Sequence, residues 1–296
     1  MERIAFYGKG GIGKSTIATG ASYTLAARGK KVLHVGCDPK HDSSLVLVKD
    51  PTKLRTVIQA SFRGEELDRA DLIMEGVHGI DCVESGGPEA GQGCGGRAVS
   101  RSFEVFDQVS LVDPDRYDVT VYDVLGDVVC GGFAAPMRRS ARSKVVVVLS
   151  EEMMAAYAAN RIAHAVGNFA ENGIVLAGLV VNLRHNQADL DPIKRFATAL
   201  GTEILEVVPR DPLVCEAELY RKSICEYAPD SPVARCVAAI VDKVIAKPRE
   251  ACAPPTPMLD DGVREIMRGG PELAVGRDLA LPARTPVSTI TAWSRL

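Results

Sequence analysis

Short apolar runs alternate along this chain with longer stretches in which small and apolar residues recur at helical spacing. Arg3–Tyr7 is a β-prone run that stops at a glycine-rich turn. Behind it, Thr16–Arg28 carries the small and apolar residues of a buried helix and closes at Gly29. Lys31–Val35 predicts a second strand and Val119–Tyr122 a third. Val145–Leu149 is apolar throughout, as suits a strand covered on both faces. Leu176–Val181 and Ile204–Val208 predict two more strands, with helices over Met153–Phe169 and Pro192–Leu200. Strands alternating with helices imply right-handed crossovers and a doubly wound, mostly parallel α/β sheet flanked by helices. Such sheets bind ligands beyond the carboxyl ends of their strands, where the polar motifs of this chain fall.

With 296 residues, 46% hydrophobic and 25% charged, the chain can bury one sizeable core without disulfides or structural metal. Its 35 Lys and Arg against 38 Asp and Glu disfavour a nucleic-acid binder that works through bulk basic charge. No apolar run approaches the roughly 18 residues of a membrane-spanning helix. The first residues run straight into the glycine-rich motif, so no signal peptide is expected and the chain reads as cytoplasmic. From Lys247 the texture changes, with seven of the 17 prolines in the last 50 residues. Residues 1–246 are therefore expected to form the folded domain, and 247–296 an extended or disordered tail.

Gly8-Lys9-Gly10-Gly11-Ile12-Gly13-Lys14-Ser15 fits G-x-x-x-x-G-K-S between a strand and a helix, the context of a P-loop NTPase. The glycines let successive backbone N–H groups face phosphate oxygens, and the helix start at Ser15 and Thr16 adds partial positive charge. Lys14 would neutralise the β and γ phosphates and the Ser15 hydroxyl would reach Mg²⁺. A lysine directly after the first glycine, Lys9, resembles the deviant phosphate loop of dimeric ATPases related to septum-site-determining, partition and nitrogenase iron proteins. The resemblance implies two chains facing each other through their ATP sites; the plainer alternative is a solvated loop lysine. Hydrolysis needs acidic groups near the γ-phosphate. Two strand ends offer them: Asp38-Pro39-Lys40-His41-Asp42-Ser43 and Asp123-Val124-Leu125-Gly126-Asp127. A lone aspartate at a strand end is often only a helix cap, whereas four at two such ends favour a catalytic reading.

None of the eight cysteines forms a C-x-x-C pair. Cys94 and Cys130 are each followed by two glycines, a poor surrounding for a buried apolar thiol. It suits a thiolate approached by backbone N–H groups, as in an iron–sulfur cluster. One chain supplies two such thiolates, and a symmetric dimer supplies the four that a [4Fe–4S] cluster needs. The phosphate loop, Gly36–Lys40, Glu84–Arg97, Asp123–Phe133 and Met153–Asn160 together resemble the nitrogenase iron protein and its relatives over roughly residues 1–245. The resemblance implies Cys94 and Cys130 as cluster ligands and Asp123, with Ser15, in the Mg²⁺ shell. It places Lys9 and Lys14 at the phosphates and Asp38 and Asp127 near the attacking water. It adds Lys40, Asp42, Asn182, Pro209, Arg210, Asp211 and Glu218 to the MgATP contacts. Arg97 matches a docking-face arginine that some members have ADP-ribosylated. Cys37 and Cys82 read as core fillers, and Cys215 replaces the glutamine usual near the nucleotide.

The implied activity is an ATP-dependent homodimeric electron donor, fed by a ferredoxin or flavodoxin, that reduces a larger metallocluster-bearing partner without nucleic acid or membrane. Lys40-His41-Asp42-Ser43 is closer to the tetrapyrrole-reducing branch, and Arg138-Arg139-Ser140-Ala141-Arg142 is more basic than expected of nitrogenase. This mosaic favours the methylthio-alkane reductase type, with nitrogenase proper next. Arg101, Arg138 and Arg139 read equally as docking residues or solvated surface. Two rivals are a partition-type switch ATPase without redox chemistry and a cluster-carrier ATPase. The first leaves the Cys-Gly-Gly pair unexplained, and the second typically carries a C-x-x-C.

Overall fold

A computed structural model describes residues 1–61, 67–89, 93–126, 134–139 and 142–269 of the chain. Its strands are β1 (Glu2–Tyr7), β2 (Val32–Cys37), β3 (Met74–Glu75), β4 (Asp81–Glu84), β5 (Val119–Val124), β6 (Lys144–Leu149), β7 (Val175–Asn182) and β8 (Ile204–Val208). Among the described residues they form one sheet in the order β3-β4-β2-β5-β1-β6-β7-β8. All neighbours are parallel except β3 against β4. The helices are α1 (Lys14–Ala27), α2 (Val57–Ser61), α3 (Arg69–Leu72), α4 (Gly95–Gln108), α5 (Ala135–Arg139) and α6 (Met153–Asn168). They continue with α7 (Asp191–Ala199), α8 (Leu213–Leu219), α9 (Ile224–Tyr227), α10 (Pro232–Ala246) and α11 (Asp260–Arg268).

The unit β1–α1–β2 runs one way along the sheet and β6–α6–β7 the other, so right-handed crossovers put α1 and α6 on opposite faces. Helix α1 packs with α9 and α10, and α6 with α11. β2, β5 and β6 are buried at every position, because helices cover both of their faces. The six strands and three helices expected from the sequence are all present, each within two residues of its expected ends. β4 escapes the pattern because only Cys82 and Val83 in it are apolar, yet Glu84 is fully buried as well.

The expected tail is corrected in its first part. Residues 247–269 are neither extended throughout nor disordered. The proline strap is tied down where Thr256 N–H donates to Leu200 O at 2.9 Å. The Asn160 amide grips Met258 from both sides, donating to its carbonyl at 2.7 Å and accepting its N–H at 2.9 Å. Beyond the strap, α11 buries Val263 and Met267 against α6 and α7 and ends at Gly269 with φ 79°. The prolines shape the connection, and the apolar stripe of α11 holds the segment in place. Residues 270–296 lie outside those described. No described helix is long and apolar enough to cross a membrane.

Candidate functional site

The phosphate loop joins β1 to α1 at the carboxyl edge of the sheet. Gly13 caps α1 in the left-handed region, φ 87°, and a Cβ there would stand 2.2 Å from the Asn182 amide nitrogen. That amide donates to Ile12 O at 2.8 Å, so the end of β7 fixes the loop. Arg184 holds it from outside, its guanidinium donating to Gly11 O at 2.7 Å while Glu151 accepts the backbone N–H groups of Arg184 and His185. The loop leaves the first N–H groups of α1 without intrahelical acceptors, which fits an anionic phosphate.

Lys14 at the start of α1 and Asp123 at the end of β5 form a buried ion pair of 2.5 Å. Ser43 donates to the other oxygen of Asp123 at 2.6 Å. Burial alone would push the Asp123 carboxyl up, but Lys14 and the hydroxyls of Ser43 and Ser15 outweigh it and hold the group below its usual range. Lys9 is half-buried on the loop, and Gly10 and Gly11 are exposed. Asp38 and Asp42 bracket the turn after β2. Lys40 N–H donates to Asp38 at 2.9 Å, yet burial still lifts the Asp38 carboxyl above its ordinary value. Gly126, at the end of the β5 turn, lies so close to the phosphate loop that a Cβ would meet Gly8 O at 2.2 Å.

A cleft of about 460 Å³ opens between α1, the turn after β2 and α8, lined by Ser15, Thr16, Asp42, Ser43, Val214 and Glu218 among others. It brings four sequence candidates together: Ser15, Thr16, Asp42 and Glu218. Pro209, Arg210 and Asp211 stand at the end of β8, neighbouring Asn182 on β7. There Arg210 exchanges backbone hydrogen bonds with the Asn186 amide, and Asp211 accepts the Leu213 N–H. Cys215 is exposed and outside the cleft lining.

Cys94 is exposed and stands immediately before α4, so Gly95 and Gly96 form the helix's first turn. Their N–H groups open the helix without intrahelical acceptors. A groove of about 700 Å³ beside it is lined by Cys94, Arg97 and Arg101. Arg101 pairs with Glu104 at 3.0 Å and Arg139 with Asp107 at 2.6 Å. Asp127 and Cys130 lie outside the described residues. Among those described, no three His, Cys, Asp or Glu side chains converge to hold a metal. Cys37 and Cys82 are fully buried, their thiols pushed up by burial, as core fillers should be.

Sequence reasoning gave no role to three buried groups. Glu84 accepts the Ser44 N–H at 2.5 Å through one oxygen, and no described residue answers the other. Burial pushes its carboxyl up to about 8. His34 and Ser22 are the others, both without exposure. Asn182, assigned to adenosine by resemblance, also supports the phosphate loop.

The profile of "4Fe-4S iron sulfur cluster binding proteins, NifH/frxC family" matches residues 2–271. Among solved structures, the septum site-determining protein MinD complexed with Mg-ADP from Pyrococcus horikoshii is 19% identical. It aligns with a TM-score of 0.65 over 83% of this chain and 96% of its own. The cell division ATPase MinD of Pyrococcus furiosus is 22% identical, with a TM-score of 0.64 over 83% of this chain and 99% of its own. A ParA family ATPase from Chlorobium tepidum is 17% identical, with a TM-score of 0.61 over 82% and 98%. These structures share the P-loop NTPase fold.

Proposed function

Because this chain belongs to the NifH/frxC family of 4Fe-4S iron–sulfur cluster binding proteins, we propose that it is the ATP-dependent electron donor of a nitrogenase-like reductase. Two copies share one [4Fe–4S] cluster, and each binds one MgATP. The observation that carries this reading is a shared edge. Cys94 follows β4, whose carboxyl end lies on the same side of the sheet as the phosphate loop, Asp38 and Asp123.

On this reading Lys14 and Lys9 meet the phosphates, and Ser15 and Asp123 hold Mg²⁺. Asp38 and Asp127 orient water, and Asn182, Pro209, Arg210, Asp211 and Glu218 surround the adenosine. Lys40 and Asp42 sit on the turn that answers the γ-phosphate. The ion pair with Lys14 holds the Asp123 carboxylate in place before phosphate arrives. Cys94 and Cys130 of both copies hold the cluster, which when bound supplies one-electron transfer. Asp127 and Cys130 are three residues apart, and Gly126 already touches the phosphate loop. A shift at the γ-phosphate is therefore felt close to the cysteine.

The catalytic partner is proposed to be the methylthio-alkane reductase type, on the strength of Lys40–Ser43 and the basic run from Arg138. A dinitrogenase or a tetrapyrrole reductase recovered with the chain would redirect it within the family. The electron source is a ferredoxin or flavodoxin. Anaerobic purification should give brown protein with about four iron per dimer and an electron-spin signal on reduction. Cys94→Ser should lose the iron and keep MgADP binding. Colourless protein that binds ATP, or iron retained in Cys94→Ser, would overturn the reading in favour of a nucleotide switch.

A further inference from the structure

A line of buried polar groups runs from α1 to the phosphate loop through residues that the motif reading leaves without a role. Ser22 Oγ on α1 lies 2.8 Å from Nδ1 of His34 on β2. His34 Nε2 lies 2.9 Å from Ser43 Oγ, and Ser43 Oγ lies 2.6 Å from Asp123 Oδ2. Asp123 Oδ1 meets Lys14 Nζ at 2.5 Å. None of these five residues is more than 7% exposed.

Proton counting gives the line a direction. The Asp123 carboxylate, paired with Lys14, can only accept, so the single proton of the Ser43 hydroxyl points to it. Ser43 must then accept from His34, which places a proton on Nε2. Burial holds the imidazole neutral, with a pKa lowered to about 4, so Nδ1 is bare and accepts from the Ser22 hydroxyl. Every link points toward Asp123.

We propose that His34 is a positioning residue for the magnesium site: its Nε2–H keeps the Ser43 hydroxyl turned onto Asp123 and so fixes the carboxylate that serves the metal. The Ser43–Asp123 hydrogen bond that it orients ties the Asp38–Ser43 turn to the end of β5. His34 touches neither nucleotide nor metal; it acts through Ser43. This rests on the nucleotide-site reading above, but not on the cluster.

Two measurements on the full chain test it. In protein labelled with ¹⁵N-histidine, the His34 ring, identified by its loss in His34→Gln, should show protonated Nε2 and bare Nδ1 at neutral pH. The Nδ1–H tautomer, or a doubly protonated ring, would overturn the proposal. In the second, ADP binding is titrated by calorimetry with Mg²⁺ and with chelator. His34→Ile should leave metal-free ADP binding within twofold and weaken the Mg²⁺-dependent gain roughly 10-fold, as loss of an outer-shell partner does. His34→Gln, whose amide N–H can reach Ser43, should restore most of it. Equal losses with and without Mg²⁺, or no change in His34→Ile, would also overturn the proposal. If the parent chain binds no ADP, the nucleotide reading fails, and this proposal with it. If the parent binds MgADP while His34→Ile behaves like it, only the role of His34 fails.

Discussion

The interior of the phosphate site and the face around Cys94 lie on one edge of the same sheet, yet they are built on opposite terms. Inside, Lys14, Asp123, Ser43 and His34 satisfy one another from within a single chain, none of them more than 7% exposed. Around Cys94, side chains are exposed, the ion pairs are shallow and a groove stays open. A buried charge must find its partner in its own fold or shift its protonation. Cys94, by contrast, is exposed at a helix start beside an open groove. The charges of the first region are balanced within one copy, and the second region turns its side chains outward.

Removing one charge from the interior should produce the largest effect. Lys14→Met leaves Asp123 buried beside hydroxyls alone, and breaking such a pair costs about 3–5 kcal/mol. Urea unfolding should show that loss, together with loss of nucleotide binding. Lys14→Met combined with Asp123→Leu should regain most of the stability and none of the binding, because two apolar groups need no partner. A double variant no more stable than Lys14→Met alone would break the contrast, since the site would then not be a self-contained pair.

Glu84 tests the same interior through pH. Its folded pKa of about 8 lies above the ordinary carboxylate value, so the folded chain holds a proton there that the unfolded chain has released. Unfolding then releases that proton, so this contribution is full below the unfolded pKa and is lost as pH rises toward 8. The slope cannot exceed one proton, about 1.4 kcal/mol per pH unit. His34 works in the other direction, because its lowered pKa removes stability as pH falls below its ordinary value of 6.5. Glu84→Gln should remove this fall across the whole interval from the ordinary carboxylate value up to about 8, leaving below 6.5 only the rise with pH that His34 contributes. Unfolding free energies measured from pH 5 to 8 would show this, and an unchanged slope would mean that Glu84 is ionised throughout.

Legibility in the sequence follows the same division. The phosphate loop is a contiguous pattern, so its place between β1 and α1 could be read directly, and so could the apolar run of β6. Cys94 stood out through the two glycines behind it. The buried network could not be read, because Ser22, His34, Ser43 and Asp123 come from four elements and their spacing carries no signal. His34 interrupts Val32-Leu33-His34-Val35 and looks like a blemish in an apolar strand until Ser22 and Ser43 close on it. Helix α11 carries a signal of its own. Asp260 and Asp261 open it, Val263, Ile266 and Met267 form its stripe, and Gly269 ends it. The nearby prolines mask that pattern.

The smallest effect belongs to the rim. Arg139 meets Asp107 at 2.6 Å and Glu104 at 3.7 Å, with its side chain about 40% exposed. Exposed pairs of this kind contribute roughly 0–1 kcal/mol, so Arg139→Ala should barely move an unfolding curve. The two interpretations of the rim diverge in association. An arginine that is merely solvated leaves partner binding untouched. One that belongs to a docking face changes the association rate and its dependence on salt, because long-range charge steers encounter more than it holds the complex. Stopped-flow mixing of the reduced protein with the proposed catalytic partner at two ionic strengths separates them. A slower, less salt-sensitive association with unaltered stability would make this rim a surface built for a second molecule. An unchanged rate would leave Arg139 as part of an ion-paired surface patch beside α4.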